Sequence, residues 1–122
     1  MSFRQDHIDL DDLEGVDREL VALRRSDDSS DRLRAVQLLP LIVAACLTQG
    51  WLHNAMLYAA DLDRIPGEED DETRTEAKLR IVDLFQEAGG AEIARTLLHR
   101  WKLTRRHEQR SREARAPRKE AA

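Results

Sequence analysis

Apolar residues recur along this chain at intervals of three and four, and no segment alternates as a half-buried strand does, so the pattern predicts helices throughout. The first runs from about Asp11 to Arg25, with Leu13, Val16, Leu20 and Leu23 as one stripe. Asp11, Asp12 and Glu14 at its start and Arg24 and Arg25 at its end carry the signs that a helix dipole favours. The stripe could pack within the domain or zip against a second copy as a self-association seam, and Gly15 weakens the first turns. Ser26 to Ser30 is a polar break rich in capping side chains, after which the chain turns apolar from Leu33. Pro40 lacks an N–H and crowds the carbonyl of Val36, so the second helix either kinks there or restarts with Pro40 in its first turn. Leu41 to Leu47 is apolar on every side and belongs in the middle of the structure.

Gly50 marks a bend, and a third helix from Trp51 to Leu62 directs Leu52, Ala55, Met56, Ala59 and Leu62 inward. Ile65-Pro66-Gly67 stops it, and Glu68 to Glu72 follows as a solvated acidic loop. Thr73 or Thr75 caps the fourth helix, about Arg74 to Ala88, whose inner face is Ala77, Ile81, Leu84, Phe85 and Ala88. Glu76 and Arg80 form an i,i+4 pair on its outside, and Gly89-Gly90 ends it. A fifth helix from Ala91 carries Ile93, Ala94, Leu97, Leu98 and Trp101 toward the core. No apolar stripe remains after Leu103. The expected fold is therefore all-α: residues 1–103 form a compact bundle of four to five helices, and residues 104–122 a basic C-terminal extension, helical in part and frayed around Pro117.

Charge sharpens this division. The formal net charge of −4 is a sum over two regions: residues 1–99 hold 11 basic and 21 acidic side chains, and residues 100–122 hold 9 basic and 3 acidic ones. An acidic body with a basic end suits a polyanionic or acidic partner, and equally a solvated tail. The most apolar run, Leu38 to Leu47, has about half the length of a membrane span, so no membrane contact is expected. The start, Met1-Ser-Phe-Arg-Gln-Asp-His7, lacks the apolar stretch of a signal peptide, and a single cysteine gives no disulfide framework; cytoplasmic location is the expectation.

The residue types that carry chemistry are sparse. His7, His53, His99 and His107 stand in no metal-binding frame, and His53 reads as a hydrogen-bonded histidine of the core or its rim. Cys46 lies in an apolar helix, where a thiol is inert. The loop Glu68 to Glu72 lacks the spacing and internal glycine of a calcium loop, and Gly89-Gly90 is no phosphate cradle. We expect no catalytic residues, no metal, no cofactor and no enzymatic activity.

One pattern has geometry behind it. At 100° per residue a fifth helix continued past Leu103 places Arg95, His99, Lys102, Arg106 and Arg110 within about 80°, opposite Ile93, Leu97 and Trp101. With Arg105 beside it, this face is either a solvated surface or a track for DNA or RNA phosphates or an acidic protein. No aromatic residue beyond Trp101 interleaves it, which argues against base-specific reading.

Leu39-Pro40, Leu41-Ile42, Leu47 and Gln49, followed by Met56-Leu57-Tyr58, resembles part of the central helix in the small all-helical subunits of type III CRISPR effector complexes, over about a sixth of the chain. Cys46 stands where that family has glycine, and Leu-Pro lies one residue out of register. The resemblance implies a subunit that lines a ribonucleoprotein filament and touches guide or target strands. From the residues themselves, the first expectation is a non-enzymatic helical protein-interaction module, adaptor-like or inhibitor-like and self-associating, that binds another macromolecule. The second is a small subunit or regulator of a nucleic-acid complex, in contact with phosphates through the fifth helix and the tail.

Overall fold

The computed structural model describes residues 10–67 and 72–115, and within them every regular element is helical. Among the described residues there are six α-helices: α1 (Leu13–Arg25), α2 (Ser29–Thr48), α3 (Leu52–Asp61), α4 (Glu72–Glu87), α5 (Ala91–Arg100) and α6 (Thr104–Arg115). Short 3-10 turns precede α1 (Leu10–Asp12) and follow α3 (Leu62–Arg64). The expected all-α bundle is present, with one helix more than the four to five that periodicity suggested, because the fifth divides at Trp101–Leu103.

The most apolar helix takes the centre. Ala35, Leu39, Ile42, Val43 and Cys46 of α2 are fully buried, and α1, α3 and α4 pack around it. Pro40 sits inside an unbroken helix, so the restart that proline allowed does not occur. The Asp28 side chain accepts from Ser30 N at 2.8 Å to cap α2, and Asp12 accepts from Gly15 N at 3.2 Å to cap α1. The α1 stripe lies against this core: Val16 and Leu20 are buried, and Leu13 and Leu23 pack beside them. A seam read as available to a second copy is thus occupied by the chain's own second helix.

Two other expectations are corrected. α4 begins at Glu72, so Thr73 and Thr75 lie inside its first turn instead of capping it. On α3, Ala55, Tyr58 and Ala59 face the core, as does Leu62 of the 3-10 turn that follows, whereas Leu52 and Met56 point away from it. Residues 68–71 of the acidic loop, His7, and the end around Pro117 lie outside the described residues.

Three helices end in the same way. After α2, Trp51 N donates to Cys46 O (2.9 Å) and Gly50 N to Leu47 O (3.0 Å); after α4, Gly90 N donates to Phe85 O (2.7 Å) and Gly89 N to Gln86 O (3.1 Å). After α5, Leu103 N donates to Leu98 O (2.9 Å) and Lys102 N to His99 O (3.2 Å). Each pair is a Schellman motif, whose pivotal residue takes a left-handed conformation. Gly50 (φ +77°) and Gly89 (φ +85°) do so freely, but at the third site the residue is Lys102 (φ +57°). Lys102→Gly is accordingly expected to raise stability by about 0.5–1 kcal/mol, read from the midpoint of chemical denaturation, because it relieves that strain. An unchanged or lowered midpoint would show that the turn carries no strain.

Candidate functional site

The turn at Lys102 changes what the basic end of the chain can do. It breaks the continuous helix on which Arg95, His99, Lys102, Arg106 and Arg110 were to share a face, and it leads α6 back beside α4. There Arg106 pairs with Glu72, and Arg110 lies 3.9 Å from both Glu76 and Asp83. His107 Nε2 meets Asp83 Oδ1 at 3.0 Å and is only 9% exposed. Glu76, expected to pair with Arg80, thus faces Arg110 instead. The described part of the extension, α6, lacks an apolar stripe and is held by ionic contacts.

Of the five residues picked out for phosphate contact, Arg106 and Arg110 are engaged with α4, while Arg95, Lys102 and Arg105 are exposed and make no ion pair among the described residues. Lys102, Arg105, Arg106, Gln109 and Arg110 line one side of an open groove whose other side is Glu76 and Leu79. Arg95 lies outside that groove. Its lining is therefore mixed in sign, where the sequence suggested a uniformly cationic face.

Other polar clusters tie elements together. Asp63, on the turn after α3, accepts from Arg100 Nε at 3.0 Å and from Trp101 Nε1 at 2.9 Å, which fixes the end of α5 against that turn. Lys78 Nζ lies over the Trp101 ring, 5.8 Å from its centre. Between α1 and α3, Tyr58 donates to Asp17 Oδ1 at 3.3 Å, and burial, aided by the Asp17 charge, pushes the phenol upward. Burial likewise raises the Asp61 carboxyl, against the opposing pull of Arg24 and Arg64. Cys46 is fully buried and its thiol is raised by the same desolvation, which suppresses the thiolate that nucleophilic chemistry needs. His53 is exposed, not in the core or at its rim. Among the described residues no cluster of His, Cys, Asp or Glu is placed to hold a metal ion. No helix there is long and apolar enough to cross a membrane.

The feature that sequence reasoning missed lies on α3. Trp51 is 39% exposed, Leu52 45%, Met56 44% and Leu57 55%, so four large apolar side chains within one helix and its N-terminal residue face solvent. At 100° per residue, His53, Met56, Leu57 and Ala60 lie opposite the buried Ala55, Tyr58, Ala59 and Leu62. The signal was present in the sequence as a stretch from Ala35 to Ala60 without one charged residue, long enough to cover two helices when only one can be central. No protein-family model, curated protein or solved structure matches the chain.

Proposed function

We propose that the protein is a non-catalytic helical interaction module, adaptor-like or inhibitor-like, that works by binding another macromolecule through the outer face of α3. The observation that carries this reading is the exposure of Leu52, Met56 and Leu57 on α3, with Trp51 at its N-cap, while Ala55, Tyr58 and Ala59 of the same helix fill the core. Neighbouring large apolar side chains left in water mark interaction surfaces. Here one side remains to be covered, and Trp and Met are residues that interface centres favour. The measurement is recovery of a stoichiometric complex by the full chain and by the double variant Met56→Glu, Leu57→Glu. The complex is expected with the unaltered chain and lost with the variant; a complex retained by the variant would refute the assignment of the surface.

A second reading, a small subunit or regulator in contact with DNA or RNA, is favoured by the exposed Lys102 and Arg105 on the α6 groove. Its test is a mobility shift that weakens steeply with salt. Arg106→Glu or Arg110→Glu would also place like charges against Glu72 or Glu76, so the informative variants are Lys102→Glu and Arg105→Glu. On this reading they abolish the shift; a shift that they leave intact, or none at low salt, counts against it.

A further inference from the structure

The charge layout around α3 identifies what covers it. Among the described residues, the helices that flank the core carry charges on their outer faces: Arg18 and Glu14 on α1, Arg80 and Glu87 on α4, Arg95 and Glu92 on α5, Arg105 and Glu108 on α6. The outer face of α3, by contrast, belongs to the run from Ala35 to Ala60 that holds no Asp, Glu, Lys or Arg, in a chain that is 36% charged.

A symmetric contact imposes a particular demand on a surface. In a two-fold dimer the same patch meets itself, so a charge near the axis faces its own copy, and a protein of net charge −4 adds general repulsion between copies. A foreign partner is commonly selected by complementary charges. A patch whose centre holds no Asp, Glu, Lys or Arg gives such a partner little ionic to read, and it meets a second copy of itself with no pair of like-charged side chains of those types at the contact.

We propose that α3 is the contact helix of a two-fold symmetric homodimer, in which Trp51, Leu52, Met56 and Leu57 of one protomer pack against the same residues of the other. This rests on the reading of α3 as an interaction surface and names its occupant. An antiparallel crossing with the axis at Met56 sets Leu52 of each copy opposite the other's Ala60. The small side chain there admits the larger ones, so the two helices approach closely. The four apolar residues together expose on the order of 400 Å², within the range of the largest apolar patch of a typical monomer, which is often functional. Two copies that covered all of it would remove about 800 Å², and flanking residues would supply the rest of the ~1,200 Å² at which specific interfaces begin. The self-association expected of the α1 stripe is thereby moved to a different helix.

Sedimentation velocity on the purified full chain, from about 1 to 100 μM, tests this. The unaltered protein is expected to sediment as a dimer. Met56→Glu, Leu57→Glu is expected to sediment as a monomer, because like charges meet across the axis, with unchanged helical circular dichroism because both positions are exposed, and a dissociation constant raised roughly a hundredfold. Met56→Cys supplies a second readout that needs no loss of packing: oxidation should join two chains through Cys at this position, while Arg95→Cys, on another exposed face, should not. A chain that is monomeric throughout the range, or a dimer indifferent to the double variant, overturns the proposal. If the monomer instead binds a foreign protein and the double variant abolishes that complex, the homodimer is refuted while the interaction-module reading stands; if it binds none, both fail.

Discussion

Replacing Arg74 by alanine is expected to lower the stability of the fold by about 3 kcal/mol, the loss appropriate to a buried, charge-assisted hydrogen-bond cluster. Its side chain crosses from the first turn of α4 to the segment that closes α3, and only 7% of the residue is exposed. Nη1 donates to Leu62 O at 3.2 Å and Ile65 O at 2.8 Å, and Nη2 donates to Pro66 O at 3.0 Å. Those carbonyls belong to a chain that has just left a helix and has no ladder to enter. Alanine would leave them facing a hollow and would also remove the aliphatic stem that fills it. Lysine keeps the charge but not the planar fork, so Arg74→Lys should recover no more than about a third of the loss. Urea denaturation followed by circular dichroism is the measurement, and an Arg74→Ala midpoint equal to that of the unaltered chain would remove Arg74 from the forces that hold this fold.

The second large effect concerns α6. From Thr104 to Ala114 this helix contains no apolar side chain larger than alanine, so the hydrophobic effect contributes almost nothing to its docking. What holds it is the set of contacts of Arg106, His107 and Arg110 with Glu72, Glu76 and Asp83. Exposed ion pairs contribute at most about 1 kcal/mol each and are screened by salt. Asp83 serves both His107 and Arg110, so Asp83→Ala combined with Glu76→Gln removes all of these contacts except that of Arg106 with Glu72. Hydrogen exchange should show α6 amides losing roughly tenfold or more of their protection in that variant, and again in the unaltered chain at about 1 M salt, while α2 and α4 keep theirs. Equal protection of α6 and α2 at high salt would mean that something other than charge holds it.

These two features also mark the limits of legibility. The core helices could be read because their signals are local: the stripe of α1, the apolar centre of α2 and the glycines after α4 each act within a few residues. Arg74 could not be placed, since its partners are carbonyls whose orientation exists only once the turn at Leu62–Arg64 has formed. The division of the fifth helix was hidden because lysine, not glycine, occupies its left-handed pivot. The docking of α6 depends on acids more than twenty residues earlier, although Glu72 and Glu76 share the four-residue spacing of Arg106 and Arg110. As for α3, periodicity assigned Leu52 and Met56 to the core on chemistry alone. A 10-residue helix with apolar residues on every side does not say which side its own chain will take.

The two tryptophans occupy opposite circumstances, and that gives the molecule built-in optical reporters. Trp101 is buried with its indole nitrogen on Asp63, so its emission follows the integrity of the fold; Trp51 stands half open at the head of α3 and senses whatever settles on that helix. Trp51→Phe and Trp101→Phe would separate the two signals. Dilution of the Trp101→Phe chain then shifts emission toward longer wavelength if a contact over α3 is lost, while denaturant moves the signal of Trp51→Phe.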